Sequence, residues 1–261
     1  MKPILKIIKI GGNVIDDEMA LQSFLKDFAA LPSPKILVHG GGKIATQIAT
    51  KLGVETNMVG GRRITDQASL DVVVMTYAGL INKKVVALLQ KNHCNAIGLS
   101  GADAGSILSR KRTHPEINFG FVGDVQSVHS GNIDKLLQAG FTPVFCAITH
   151  DAAGQLLNTN ADTIASEVAI GMSESYQAEL IYCFEKKGVL TDINDEDSVI
   201  EHIDSQKYIE LKNDKIIADG MLPKMENCFH ALQNKVSKVI IGHPSIIGDK
   251  KKNVYNLGDL K

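Results

Sequence analysis

Lysine beside paired glycine recurs at distant points of this 261-residue chain. Lys9-Ile10-Gly11-Gly12 follows the apolar run Ile4-Leu5-Lys6-Ile7-Ile8, and His39-Gly40-Gly41-Gly42-Lys43 follows Lys35-Ile36-Leu37-Val38. Asp219-Gly220-Met221-Leu222-Pro223-Lys224 adds a lysine after a single glycine, and Asn158-Thr159-Asn160-Ala161-Asp162 adds two amides and an acid. A glycine turn between strand and helix aims backbone N–H groups at one point, which makes an anion site. Lysines there add the positive charge that a phosphoryl group needs. The GxxxxGK[ST] loop of Walker-type enzymes is absent, and GxGxxG is not met.

Each piece has a plainer reading. Lys6 and Lys9 lie in an apolar run, where burying an ammonium is costly; an edge lysine could instead reach water along its own stem. Gly11-Gly12 directly after Lys9, at the carboxyl edge where open α/β sheets take ligands, favours phosphate. A tight β–α turn explains one glycine but not three in a row, which cost backbone entropy. Of Arg62 and Arg63, after Gly60-Gly61, one fits a bidentate carboxylate clamp and the other a solvated surface. Asn160 or Asp162 could be an ordinary N-cap, but an acid near two lysines would also hold them in register. Pro223 suits the first helical position, so Lys224 points to that helix's N-terminal anion site. No histidine pairs with Ser or Cys as a nucleophile, and His39 reads as a turn residue.

These groups need a frame. Short Ile/Val/Leu-rich runs at 4–10, 35–39, 94–98, 142–148, 178–184 and 238–242 have the near-continuous apolarity of strands buried on both faces. Helical spacing fills 17–30, 43–52, 66–91, 131–139, 161–171 and 223–234. The alternation predicts a three-layer α/β/α sandwich with a mainly parallel central sheet. Thr65 is expected to cap the long helix, with Asp66 in its first turn. That helix is apolar on more than one face, as core packing or a subunit interface would require. Residues 149–157 and 118–130 have hairpin character, and 191–215 reads as a polar excursion with a short helix near 204–211. The tail from Asp249 to Lys252 reads as a solvated loop. No linker or internal repeat divides the chain, so 1–261 is expected to be one domain.

Composition excludes some classes. A net charge of -1 and the absence of Trp argue against nucleic-acid binding. Four cysteines without CxxC or zinc spacing suggest reduced thiols in a cytoplasmic setting. The sequence offers no apparent signal peptide, and no apolar stretch is expected to reach the ~18 residues of a membrane span.

Taken together, Ile8-Lys9-Ile10-Gly11-Gly12, Val38-His39-Gly40-Gly41-Gly42, Gly61-Arg62-Arg63-Ile64-Thr65, Asn158-Thr159-Asn160-Ala161-Asp162 and Ala218-Asp219-Gly220-Met221-Leu222-Pro223-Lys224 resemble the amino acid kinase family, and within it the N-acetylglutamate kinases. The resemblance spans about residues 4–243. It implies ATP-dependent phosphorylation of the γ-carboxylate of N-acetyl-L-glutamate, giving N-acetyl-L-glutamyl 5-phosphate in arginine biosynthesis. An N-succinyl-L-glutamate kinase, another family kinase acting on carbamate or aspartate, or a nucleotide-binding regulatory module without turnover are the alternatives. Lys9 and Lys224 would neutralise the phosphoryl group and Asp162 would hold them. Gly11 and Gly12 would bind phosphate. Gly41, Gly42, Arg63 and Asn158 would bind the substrate, and Glu185, Lys186, Lys187, Gly188, Ile216, Ile217 and Ala218 the nucleotide. Mg2+ would arrive on ATP, with no metal held by the protein alone. The implied lobes are about 1–175, for acylglutamate and dimerisation, and about 176–261, for ATP. Phe184-Glu185-Lys186-Lys187-Gly188 departs from the family pattern of Ser or Thr, Asp, two residues and Gly. A first strand near residue 4 implies a homodimer without the N-terminal helix of arginine-inhibited hexamers.

Overall fold

The run Ile4–Ile10 forms the strand on which the architecture turns, because its side chains find apolar partners on both sides: Leu5, Ile7, Ile8 and Ile10 are fully buried. A computed structural model describes residues 2–192, 194–214, 216–217, 221–248 and 256–257. The side chains of 256–257 and the expected loop at Asp249–Lys252 lie outside that description, as do Ala218, Asp219 and Gly220.

Eight strands form the main sheet, in the order His202–Ile203, Asn256–Leu257, Lys238–Gly242, Gln177–Cys183, Ile4–Ile10, Lys35–His39, Thr142–Cys146, Ala96–Leu99. Pairing is parallel except between Lys238–Gly242 and Asn256–Leu257. Strands that precede residue 175 lie on one side of Ile4–Ile10 and those that follow lie on the other. Strand order thus reverses at Ile4–Ile10, and the crevice beyond its carboxyl end is where such sheets place ligands. Register brings Ile10 opposite both His39 and Cys183, so the two glycine turns emerge side by side. Helices flank this mainly parallel sheet. Glu18–Ala30 packs on Asn82–Lys91, and Ala161–Met172 packs on Met221–Gln233 and Ser130–Gln138.

Several elements differ from expectation. Asp66, not Thr65, caps the long helix by accepting from the Ser69 N–H at 2.8 Å. Thr65 is instead an extended residue bridged to Gly120. The helix runs Gln67–Lys91 with a π-helical stretch at Met75–Ile81, a distortion that often marks a functional site. Contrary to the composition reading, it is long and apolar enough to cross a membrane by length and hydropathy. Leu70, Val73, Tyr77, Ile81, Val85 and Leu89 are nevertheless part of the protein core, which accounts for the apolarity. The hairpin expected within 118–130 is larger: Gly123–Val128 pairs antiparallel with Ile107–Lys111. These two strands join Ile148–His150 and Leu156–Asn158 in a second sheet of four. The latter pair is the hairpin expected at 149–157. All four cysteines are free and buried. Burial pushes the Cys146 and Cys183 thiols up to about 12, leaving them protonated and unreactive.

Candidate active site

Lys9 and Lys224, 215 positions apart, meet on one carboxylate. Lys9 Nζ lies 2.7 Å from Asp162 Oδ1, and Lys224 Nζ donates to Oδ2 at 2.9 Å. Asp162 is placed by the Asn-x-Asn-Ala-Asp piece. Asn160 caps helix Ala161–Met172, its Oδ1 accepting from the Asp162 N–H at 2.7 Å and the Thr163 N–H at 3.2 Å. From the neighbouring strand, the buried Tyr182 hydroxyl donates to the Asp162 carbonyl at 2.8 Å. Lys224 lies in the first turn of helix Met221–Gln233, which starts two residues before the expected boundary. Burial alone would raise the Asp162 pKa. The Lys9 and Lys224 charges outweigh it and hold the carboxyl at about 2.

The residues expected to bind substrate converge from the other side. Arg63 is only 8% exposed. Its Nη2 donates to the Gly42 carbonyl at 3.0 Å and to Thr46 Oγ1 at 2.8 Å, and its Nη1 donates to Thr56 Oγ1 at 3.0 Å. At least three of five guanidinium N–H groups are therefore committed, and the buried Tyr77 hydroxyl also interacts with the guanidinium, so the expected free two-pronged clamp is instead a braced strut. Arg62 is exposed, as expected of one of the pair. Asn158 Nδ2 donates to Thr65 Oγ1 at 3.0 Å, and Thr65 Oγ1 donates to the Arg63 carbonyl at 3.2 Å. Thr65 is clasped by the 118–122 loop through Thr65 N–H to Phe119 O and Phe121 N–H to Thr65 O. Gly120 permits this close approach: its φ is +70°, and a Cβ there would lie 2.1 Å from the Thr65 carbonyl oxygen.

A cavity of about 600 Å3 opens between these groups, lined by Gly41, Gly42, Arg63, Tyr77, Arg112 and Asn158. Gly41 has a φ of +146°, and a Cβ would fall 2.2 Å from Ile81 Cδ1, so this position needs glycine. At Gly42 the protein itself would tolerate a side chain, its nearest atom being Tyr77 Oη at 3.8 Å. The room there belongs to the cavity. Gly41 starts helix Gly42–Lys51 with no side-chain cap, which leaves first-turn N–H groups for an anion.

A second cavity of about 420 Å3 is lined by Gly11, Gly12, Phe184, Glu185, His243 and Ser245. Ala161, beside Asp162, lines the first cavity, and Gly11, two residues after Lys9, lines the second. Lys9 and Asp162 thus have chain neighbours on the two cavities. One expectation fails in detail: the Gly11 N–H donates to the Cys183 carbonyl at 3.2 Å and is not free for phosphate. The open turn begins at Gly12.

The residues expected to bind the nucleotide are only partly gathered. Glu185 faces the second cavity. Lys186 and Lys187 pair with Glu196 at 3.6 Å and Asp197 at 2.5 Å. Gly188 is buried. Ile217 is 1% exposed in the core, which removes its side chain from ligand contact, while Ile216 is partly exposed. Ala218 lies outside the described residues. Thr46, Thr56, Tyr77, Tyr182 and Arg112 escaped the sequence reading. Thr46, one helical turn after Gly42, and Tyr77, on the long helix, had a local pattern to find them by; Arg112 had none. His39, expected as a turn residue, ends its strand fully buried.

The amino acid kinase family model matches residues 5–243. An acetylglutamate kinase of Cytophaga hutchinsonii is 56% identical over 91% of this chain and 90% of its own length. One from Phocaeicola vulgatus is 49% identical, covering 95% and 97%. Among solved structures, a carbamate kinase from Giardia lamblia bound to AMP-PNP superposes with a TM-score of 0.71 over 99% of both chains, at 14% identity. At that identity the likeness shows the fold alone.

Proposed function

The chain belongs to the amino acid kinase family, and we propose that it transfers the γ-phosphoryl group of ATP to the γ-carboxylate of N-acetyl-L-glutamate, a step of arginine biosynthesis. The meeting of Lys9 and Lys224 on Asp162 carries this reading. A carboxylate oxygen attacks the γ-phosphorus, and the bond from that phosphorus to the bridging oxygen of ADP breaks. No proton moves, so no general base is needed. Catalysis is alignment and charge neutralisation. The lysines stabilise the equatorial oxygens, Asp162 keeps the two ammonium groups together, and the Gly41-Gly42 turn with Arg63 and Asn158 orients the acylglutamate. ATP is assigned to the side of Gly12 and Glu185. We assign the lobes as about 1–175 and 176–261, supported by the split of strands about Ile4–Ile10.

Mg2+ would enter on ATP, its ligands mostly phosphate oxygens, and would offset charge on the β- and γ-phosphates. Asp16, near Gly12, has two buried carboxylate oxygens without a hydrogen-bond partner among the described residues, with Lys43 Nζ 3.7 Å from Oδ2. It suits a metal-bound water.

A second reading, N-succinyl-L-glutamate, is favoured by Arg112. Its guanidinium lines the substrate cavity and pairs with Asp124, a charge that an acetyl group does not use. One assay decides: ATP and Mg2+ with N-acetylglutamate, N-succinylglutamate, aspartate or carbamate, the acyl phosphate being trapped with hydroxylamine. Signal is expected with an acylglutamate. Signal with aspartate or carbamate alone rejects the proposal, and nucleotide binding without turnover on any acid makes the chain a regulatory module.

We also propose a cytoplasmic homodimer joined through helix Gln67–Lys91, where Met75 and Leu80 are 54% and 55% exposed. Sedimentation should give a dimer for the native chain and a monomer for the Met75→Glu/Leu80→Glu variant. A native monomer, or a variant that stays dimeric, rules this interface out.

A further inference from the structure

His39 is fully buried where strand Lys35–His39 meets the glycine turn, yet its ring is wired rather than merely packed. Its Nδ1 lies 2.9 Å from the Gly40 carbonyl and its Nε2 lies 3.0 Å from Asn82 Nδ2. The surroundings fix the direction of each bond. Asn82 Oδ1 accepts from Lys83 Nζ at 3.2 Å, and Asn82 Nδ2 also donates to the Val144 carbonyl at 2.9 Å. The amide nitrogen is therefore the donor toward Nε2, Nε2 must accept, and the ring proton resides on Nδ1, which donates to Gly40 O. Burial pushes the His39 pKa down to about 4, so the ring is neutral at working pH.

A trans peptide places its C=O and the following N–H on opposite sides. The imidazole draws the Gly40 carbonyl toward the core. The Gly41 N–H then points away from the ring, on the side of the cavity that the three glycines line. Glycines on both sides would let this peptide rotate cheaply, so a fixed anchor matters here more than elsewhere.

We propose that His39, oriented by Asn82, is a positioning residue that aims the Gly41 N–H at the reacting carboxylate. This rests on the reading of the Gly41-Gly42 turn as the acylglutamate site.

Two substitutions separate aiming from packing. In His39→Asn the amide nitrogen falls near the place of Nδ1 and still donates to Gly40 O. In His39→Gln the side-chain amide reaches the place of Nε2 instead, where its Oε1 accepts from Asn82 Nδ2, and the bond to Gly40 O is lost while more of the space is filled. His39→Asn should hold kcat within about threefold of native. His39→Gln should lose about a hundredfold in kcat, the scale of one aimed N–H donor, with KM for the acylglutamate and Tm close to those of His39→Asn. A glutamine variant as active as the asparagine one, or losses that track Tm, would overturn the proposal. Should either variant not fold, 15N NMR of the native ring decides: a proton on Nδ1 and a bare Nε2 support it, and the reverse tautomer refutes it. A native protein that makes no acyl phosphate overturns the proposed function, and this inference with it.

Discussion

Lys224→Ala is expected to lower the rate of acyl phosphate formation about a thousandfold, roughly 4 kcal/mol of transition-state stabilisation. Charge spreads over the equatorial oxygens of the phosphoryl group as it passes between ADP and the carboxylate. Lys224 Nζ is held on Asp162 Oδ2 at 2.9 Å before substrate arrives, so its charge is in place at no cost of reorganisation. Lys9, 2.7 Å from Oδ1, supplies the second ammonium, and Lys9→Ala should fall by a similar factor. Removing both should cost less than the product of the two, because they act on one group as a unit. The fold should survive either single change, since Asp162 keeps one partner. Hydroxylamine-trapped turnover measured beside Tm tests this, and near-native rates in both single variants would remove the mechanism.

Asp162→Ala should do more harm to the fold. The two ammonium groups lose their shared counter-charge in a site where each lysine side chain is largely shielded from water. Leaving buried charge uncompensated costs about 3–5 kcal/mol, and like-charge repulsion would splay the lysines and abolish turnover. Urea titration with the midpoint compared at constant slope measures the loss. The acid limb offers an independent check. Because the folded Asp162 pKa is depressed from 3.8 to about 2, its contribution is complete above pH 3.8 and is lost as pH falls through about 2. That window is worth about 2 kcal/mol. Asp162→Asn should flatten the stability profile between those limits. A variant with an unchanged acid limb and native stability would show that the carboxylate does not bind the lysines together.

The strands at Lys35–His39 and Lys238–Gly242 were legible because they are short apolar runs closed by glycine or histidine, and burial on both faces leaves no other way to satisfy them. Ile107–Lys111 was not legible. It is brief, half polar and bulged at Leu108/Ser109, so its pairing with Gly123–Val128 depends on the neighbouring strand rather than on its own pattern. The Thr65 cap failed for a related reason. Thr65 spends its hydroxyl on Arg63 and Asn158, and Asp66 next to it is free to cap.

Within the site, residue type and spacing marked Lys9, Lys224, Asp162 and Arg63 as groups with chemistry to do, because buried lysines and glycine turns carry a local cost that only function repays, whereas Asn158 was marked by the family resemblance alone. Folding decided which of them touch. It set the Asp162 carboxylate between two lysines, committed the Gly11 N–H to Cys183 and drew Arg112 into the cavity lined by Gly41 and Arg63. Helical and strand periodicities are local and can be read along the chain. Convergence of residues more than 200 positions apart depends on helix Ala161–Met172 packing both on strand Ile4–Ile10 and on helix Met221–Gln233, which no stretch of sequence contains by itself.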